Sequence, residues 1–349
     1  MNRKIFLLSV IAIFINFYTS GQVKKLFFNL DNENGINKLI GTKLNKDELF
    51  YPCHIKWMKN NLFITSCAND SFGYKILNVS DGRIVHKFGM HGRGPGELLF
   101  PDYIQMKDNR VIVYDFMIRK LVFYDYQKIL MNERNIFLNE ILFPNNVFVK
   151  VPLMINNNTI ACILYGDNNG ARYAKLTEKG ELIKKLGSFP RLKKDYPKIV
   201  ADPIFKTNAE YNSLTNKIII AYELWDRIEI LDTSFYTKVI IEGPKNRLPK
   251  VYFEGGANVT SLDAPTCYAD ISAGSNSFIV LYYGLDEPDD PNKYFVFKYA
   301  IRFDYEGNTM EKFMLQPGVS DIAVDWENNM LFGVNMENDP IIYKYSMKK

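Results

Sequence analysis

Short apolar runs alternate with tight polar turns along almost the whole chain, a pattern that predicts strands rather than helices. The same order of events occurs six times: an apolar strand, a polar turn containing asparagine, and a second apolar strand. Asparagine suits such turns because it tolerates a left-handed backbone and can bond its own turn. We therefore predict six repeated units. The asparagines that precede the second strands are 48 to 60 residues apart: Asn61, Asn109, Asn158, Asn216, Asn276 and Asn329.

A third strand follows each second strand, and a more polar fourth strand follows most of the third ones. In the first unit these are "YKILNV" and "RIVHKFG". Four antiparallel strands in a unit of roughly 50 residues are typical of a β-propeller blade. The many aromatic residues, 25 Phe and 22 Tyr, also favour strands. The sequence thus predicts an all-β fold, a six-bladed β-propeller of four-stranded antiparallel blades.

The last unit ends the chain without a fourth strand. Residues 23–44 precede the first complete unit and contain apolar runs. We expect this N-terminal segment to supply the missing outer strand of the last blade, beside residues 341–345. Such a closure would remove a strand edge that otherwise pairs with other chains.

The first residues have the order of a secretory signal. Arg3 and Lys4 precede an apolar run over residues 5–17, and small and polar residues follow. We expect a signal peptide over residues 1–21 and a single propeller domain over residues 22–349. The apolar run is short for a membrane span, although an uncleaved anchor is the alternative.

Export permits disulfide bonds, and the chain has four cysteines. Cys53 and Cys67 flank the turn at Asn60 symmetrically, so they would face each other on an antiparallel hairpin. A cross-strand disulfide and two buried free thiols both fit this placement. Cys162 and Cys267 are expected in the core, and the cysteine spacing matches no CxxC zinc pattern.

The stretch "HKFGMHGRGPGELLFPDYIQM", residues 86–106, holds four glycines. It lacks the Gly-Lys-Ser/Thr ending and the following helix of a phosphate-binding loop. His86 and His91 have no partners at the spacing of metal ligands. We therefore predict that residues 89–101 form a structural joint between the outer strand of the first blade and the inner strand of the second.

Residues 88–125, "FGMHGRGPGELLFPDYIQMKDNRVIVYDFMIRKLVFYD", resemble an NHL-type repeat. The motif "GRGPGE" resembles a motif of the six-bladed, TolB-like propellers that Bacteroidetes bacteria export. The other five units share only the strand-and-turn pattern. The resemblance implies a six-bladed propeller in the bacterial cell envelope, in the periplasm or on the surface, and it implies little about activity.

Propeller geometry would place the short asparagine turns on one face and the long, varied loops on the other. Loops of this kind on a rigid scaffold usually carry binding sites. Basic residues in them would hold an anionic glycan, a phosphate or an acidic protein, unless they are ordinary solvated charges. The candidate ligand-binding cations are Arg93, Arg191, Lys193, Lys194 and Arg247.

The predicted inner strands would line the central channel. The aromatic residues expected at the channel mouth are Tyr103, Tyr211 and Tyr268, which would contact a ligand or pack between blades. Carboxylates suit calcium, and the candidate metal ligands are Asp102, Asp270 and Asp321. The alternative is that these acidic residues only serve turns.

The sequence contains no nucleophile–base pair and no metal triad that can be identified from spacing. The leading hypothesis is a non-enzymatic exported protein, without a cofactor, that binds an envelope protein or a glycan through its long-loop face. The alternative is a calcium-dependent hydrolase or lyase, lactonase-like or esterase-like, acting at the channel mouth. A formal charge of +4 together with export argues against nucleic-acid binding.

Overall fold

The computed structural model describes most of the chain. Its regular secondary structure consists almost entirely of strands. The described residues are 23–30, 35–66, 70–156, 159–167, 170–189, 205–248, 251–254, 257–260, 266–283, 296–336 and 339–348. None of the described helices is long and apolar enough to cross a membrane.

The first half of the chain forms an N-terminal segment and three blades. The N-terminal segment contains β1 (Lys24–Phe27), β2 (Asn37–Ile40) and β3 (Thr42–Lys43). Blade 1 contains β4 (Pro52–Met58), β5 (Asn61–Ser66), β6 (Phe72–Asn78) and β7 (Arg83–Met90). Blade 2 contains β8 (Pro101–Lys107), β9 (Arg110–Asp115), β10 (Lys120–Asp125), a short helix α1 (Tyr126–Leu130) and β11 (Phe137–Leu142). Blade 3 contains β12 (Phe148–Asn156), β13 (Thr159–Gly166), β14 (Tyr173–Thr177) and β15 (Leu182–Leu186).

The second half of the chain forms blades 4 to 6. Blade 4 contains β16 (Thr207–Asn212), β17 (Lys217–Tyr222), β18 (Arg227–Asp232) and β19 (Thr237–Glu242), and a hairpin of β20 (Val251–Glu254) and β21 (Ala257–Thr260) follows it. Blade 5 contains β22 (Tyr268–Ala273), β23 (Ser277–Tyr282), β24 (Phe297–Asp304) and β25 (Thr309–Val319). Blade 6 contains β26 (Asp321–Asp325), β27 (Met330–Asn335) and β28 (Ile341–Ser346). The predicted six-bladed propeller is confirmed.

The N-terminal segment closes the last blade, as predicted. Strand β3 pairs antiparallel with β28, with Lys43 opposite Tyr343 and Thr42 opposite Lys344. The same segment also adds a parallel fifth strand to two other blades, because β1 pairs with β19 of blade 4 and β2 with β25 of blade 5. The sequence analysis did not predict these two parallel pairings.

The cores lie between the blades. Each of the six apolar clusters in the described part of the chain combines residues of two neighbouring blades. The second strand of each blade is covered on both faces, so it reads as a continuous apolar run rather than as an alternation. In β17, for example, every residue after Lys217 is buried.

The asparagine turns within the described residues occur where the sequence predicts them, and Asn158 lies outside those residues. Asn216 and Asn329 have left-handed backbones, with φ of 54° each. In the first two turns the left-handed backbone comes earlier than expected, at Lys59 and Asn60 in the first and at Asp108 in the second.

The glycine-rich stretch joins β7 of blade 1 to β8 of blade 2, as predicted. Gly96 has a φ of +72°, and an added Cβ there would lie 2.7 Å from the ring of Phe137. The Tyr124 hydroxyl donates to the carbonyl of Gly96 at 2.7 Å. The Glu97 carboxylate accepts the N–H of Gly94 at 2.7 Å. These bonds fix the loop as a structural joint.

Candidate functional site

A cavity of about 1360 Å³ lies at the centre of the ring, at the end where the inner strands begin. All six inner strands, β4, β8, β12, β16, β22 and β26, contribute residues to its wall. Loops between second and third strands complete the rim. Its polar and charged lining residues are Glu48, His54, Lys56, Asp102, Lys150, Lys206, Asn208, Glu210, Glu223, Asp270, Ser320, Asp321 and Asp339.

Each of the four cationic side chains in this lining has a carboxylate partner. Lys56 pairs with Glu210, and these two residues belong to blades 1 and 4, which are opposite each other in a ring of six. The pair therefore joins the two sides of the channel. The other pairs are His54 with Asp321 at 2.9 Å, Lys150 with Asp102 at 3.5 Å and Lys206 with Glu223 at 2.6 Å.

His54 and Asp321 form an oriented pair in the cavity wall. One oxygen of Asp321 accepts the backbone N–H of Ile55 at 2.9 Å, which fixes the carboxylate, and the other bonds Nδ1 of His54 at 2.9 Å. Burial lowers the pKa of His54, but the hydrogen bond and charge of Asp321, with the charges of Asp102 and Asp270, outweigh it and raise the pKa to about 9. The imidazole is therefore protonated at neutral pH. Its side chain is 44% exposed and faces the cavity.

Asp270 and Lys56 share a crowded part of the wall. Burial raises the pKa of Asp270 well above its usual range, and the charge of Asp321 raises it further, against the opposing charges of Lys56 and His54. Burial also lowers the pKa of Lys56, although Asp270 and Asp321 act in the other direction. Asp270 thus holds its proton more tightly than an ordinary carboxyl group.

Several lining side chains also connect neighbouring blades. Asp270 of blade 5 accepts the N–H of Ile322 in blade 6 at 3.2 Å. Asn208 of blade 4 donates to the carbonyl of Ala269 in blade 5. These bonds fix the polar groups of the wall in position before any ligand arrives.

Aromatic side chains form part of the rim. Phe50 and Tyr51 are 53% and 67% exposed, and Tyr103 and Tyr165 line the wall. Tyr51 has a left-handed backbone with φ of 39°, which is unusual for an aromatic residue.

The three tyrosines predicted at the channel mouth have different surroundings. Tyr103 lines the cavity. Tyr268 also contributes to the lining, but its side chain is buried and its hydroxyl donates to Asp226 at 3.0 Å. Tyr211 is not in the cavity lining: its hydroxyl bonds Ile155 at 3.0 Å and Asn216 at 2.8 Å. Tyr211 therefore lies near an asparagine turn, at the opposite end of the inner strand.

Two of the predicted cations lie within the described residues, and neither lines the cavity. Arg93 is exposed on the joint between blades 1 and 2, and Arg247 is half-buried in the loop after β19. The other three lie outside the described residues: Arg191, Lys193 and Lys194.

Asp102, Asp270 and Asp321 all line the cavity, but they come from blades 2, 5 and 6. No group of three or more His, Cys, Asp or Glu side chains within the described ranges is arranged to hold a metal ion. Each of the three aspartates already has a protein partner. Calcium binding at these residues stays a prediction.

Cys53 is part of a disulfide bond and lies in the cavity wall. Cys67, its predicted partner, lies outside the described residues. Cys162 and Cys267 are buried in the core, as expected.

Sequence reasoning missed Lys56, Lys150, Lys206 and Asn208. The strand period contains a usable signal for the first of them, since Lys56 is two residues after His54 and must share its face. Lys206 and Glu223 flank the paired strands β16 and β17, and the N–H of Glu223 donates to the carbonyl of Lys206 at 2.8 Å, so the hairpin itself brings them together.

The comparisons with known proteins support the fold. The sequence model of the TolB-like 6-blade propeller-like family matches residues 36–327. A Bacteroides fragilis protein named as exported has a solved structure with a TM-score of 0.59 and 14% identity, covering 94% of this chain and 100% of its own. A member of the DUF4221 family from Bacteroides vulgatus has a TM-score of 0.56 and 13% identity, covering 89% and 96%. No curated protein matches the sequence.

The two solved structures share the fold at identities too low to indicate a function. The family match is of a different kind, because it covers most of the chain and includes all six inner strands. This chain belongs to the TolB-like six-bladed propeller family.

Proposed function

We propose that the protein is an exported, non-enzymatic propeller that binds the end of an uncharged glycan in its central cavity. Export is supported by the signal-like order of residues 1–21 and by the name of the Bacteroides fragilis neighbour. The observation that carries the proposal is the cavity wall, in which all four cations are paired with carboxylates.

Paired cations disfavour an anionic ligand. An anionic group would have to displace a carboxylate such as Glu210 from Lys56, so it would bring no net gain of charge pairing. A sugar hydroxyl can both donate and accept. It can therefore bond the carboxylate lone pairs and the N–H groups that each ion pair leaves unused, without separating the two charged side chains.

The rim suits the apolar face of a sugar ring. Phe50 and Tyr51 present aromatic surface beside the polar wall, the combination of apolar and convergent polar groups that marks ligand sites. The bonds between blades preorganise the wall, and preorganisation lowers the entropic cost of binding.

The test is a thermal-shift screen of the protein purified after export, against neutral and acidic oligosaccharides, followed by calorimetry on the hits. Binding to the folded state alone raises the unfolding midpoint. Neutral sugars should bind with an affinity that changes little with ionic strength, because no net charge is neutralised. Tyr51→Ala should weaken binding by about three- to tenfold, the scale of one aromatic contact.

The control variant is Tyr236→Ala, which removes a tyrosine of similar exposure, 69%, from a turn between β18 and β19 outside the cavity lining. It should bind the glycan as the wild type does. Binding of acidic sugars only, with strong salt dependence, would contradict the proposal, and so would the absence of any hit. Calcium-dependent turnover of a lactone or ester would support the hydrolase or lyase alternative instead.

A further inference from the structure

A second surface, beside the cavity, carries four exposed apolar side chains. Met90, Phe100, Met117 and Phe148 are 55%, 38%, 63% and 54% exposed. They belong to the joint after β7, the turn between β9 and β10, and the start of β12, and so to blades 1, 2 and 3. Isolated exposed apolar residues are ordinary, but a contiguous group marks an interaction site. We call this group the blade 1–3 surface.

The loops that carry these side chains are bonded to one another. The N–H of Phe116 donates to the carbonyl of Phe100 at 3.1 Å. Met117 and Arg119 follow in the same turn. The Arg119 guanidinium lies 5.6 Å from the ring centroid of Phe148, so blade 3 continues the surface. Met90 joins at the other end, where its carbonyl accepts an N–H from within the joint at 2.9 Å.

Two arginines give the surface a positive charge. Arg93 is exposed and pairs with no acidic side chain in the described part of the chain. Arg119 donates one N–H to the backbone carbonyl of Asn145 at 3.1 Å and another to its side chain at 2.8 Å. Those bonds orient the guanidinium and leave some of its five N–H donors for another acceptor.

The carboxylates nearby are already engaged by the protein. Glu97 accepts a backbone N–H within the joint at 2.7 Å, and Glu140 pairs with Lys120 at 2.8 Å. Asp115 is buried and accepts backbone N–H groups of the two loops, including those of Phe100 and Met117. Arg93 and Arg119 therefore remain without carboxylate partners among the described residues.

We propose that the blade 1–3 surface docks an acidic polypeptide segment that also carries apolar side chains. The four apolar residues would bury its apolar positions, and the two arginines would bind its carboxylates with charge-assisted hydrogen bonds. A second copy of this chain fits less well, because a two-fold contact would place these arginines close to each other. This inference is independent of the glycan proposal, since the residues that carry it are not part of the cavity lining.

The test measures fluorescence anisotropy of three synthetic peptides with the same leucine and phenylalanine positions. Their remaining positions are glutamate, glutamine or lysine. The glutamate peptide should bind at least tenfold more tightly than the lysine peptide, and added salt should weaken it. The double variant Arg93→Glu, Arg119→Glu should lose at least tenfold in affinity for the glutamate peptide and prefer the lysine peptide.

The variants Met117→Ser and Phe148→Ser should weaken binding of the glutamate and glutamine peptides alike. Leu214→Ser is the control, because Leu214 is 75% exposed in the turn between β16 and β17, on the face of the propeller opposite the cavity. Equal affinity for all three peptides, or no measurable binding, would overturn the proposal. The proposal would also be overturned if the wild type formed a dimer that Met117→Ser abolishes. It would be overturned as well if the peptides failed to bind and the protein instead bound anionic lipid vesicles in a way that the arginine variants abolish.

Discussion

The pair formed by His54 and Asp321 gives a measurable prediction about the cavity wall. Replacing Asp321 with asparagine removes the negative charge and keeps an oxygen for the backbone N–H of Ile55, which is 2.9 Å from the present carboxylate. Burial then dominates the environment of His54, and its pKa should fall from about 9 to 6.5 or below.

The energetic size of the effect follows from the shift. A change from 6.5 to about 9 corresponds to at most about 3.4 kcal/mol of preference for the protonated form. Since 44% of the His54 side chain is exposed to the open cavity, solvent screening reduces the contribution to stability to about 1–2 kcal/mol. The folded-state pKa is the higher one. The wild type therefore has this stabilisation in full below about pH 6.5 and loses it as the pH rises to about 9.

The assay is an NMR titration of the imidazole signals between about pH 5 and 10. The chain has only three histidines, so substituting His86 and His91 in turn assigns the signals. Asp325→Asn is the matched control, because Asp325 is a buried carboxylate at the other end of β26 that bonds Asn328. It should leave the titration of His54 unchanged. A wild-type His54 that titrates near 6.5, or an Asp321→Asn variant that titrates as the wild type does, would refute the reasoning.

Three further predictions concern stability. Glu229→Gln removes the counterion of the buried Arg172 of blade 3 and of the half-buried Arg227 of blade 4, and it should lower the free energy of unfolding by about 3–5 kcal/mol. Glu311→Gln, in a half-exposed pair, should cost less than about 1 kcal/mol, and similar losses for the two variants in denaturant titrations would contradict this. Gly96→Ala should lower the free energy of unfolding by about 1–3 kcal/mol, because Gly96 has a positive φ and lies against the ring of Phe137. Gly35→Ala is the control and should be nearly neutral, because Gly35 has open space around it. A neutral Gly96→Ala would show that the joint is not tightly packed. If the disulfide of Cys53 closes the predicted 15-residue loop, Cys53→Ser should cost about 3 kcal/mol, and unchanged thermal unfolding would argue against that pairing.

Local signals in the sequence were sufficient for the blades. The strand period and the turn chemistry act over a few residues, so the predicted joint over residues 89–101 ends where β8 (Pro101–Lys107) begins. The closure of blade 6 was also predictable, because the last unit lacks its own outer strand and that strand must come from elsewhere in the chain.

Long-range placement was not predictable in the same way. The segments β1 and β2 read as ordinary short strands, and nothing local indicates that they pair in parallel with blades 4 and 5. The helix α1 is only five residues long, too short for a periodic signal, and depends on the Asp125 N-cap. Tyr211 lies away from the channel mouth because β16 begins at the mouth and runs away from it, and Tyr211 is its fifth residue.

The charge pairing in the cavity is the part of the site that the sequence could not provide. Lys56 and Glu210 are 154 positions apart in the chain, and only a closed ring of blades places them opposite each other. From the sequence alone, the acidic residues were as compatible with a metal site as with ion pairs. In the fold Asp102 and Asp321 have the cationic neighbours Lys150 and His54, whereas Asp270 accepts a backbone N–H.

The central claim is that an uncharged glycan binds inside the cavity, and His54 is a reporter within that cavity. The most direct measurement is to titrate the glycan hit into the protein and follow the three imidazole signals by NMR. The account predicts that the His54 signal shifts in a saturable way, while the signals of His86 and His91, which lie on β7 and the joint outside the cavity lining, stay in place. A glycan that binds without moving the His54 signal, or one that moves only the signals of the other two histidines, would contradict the account.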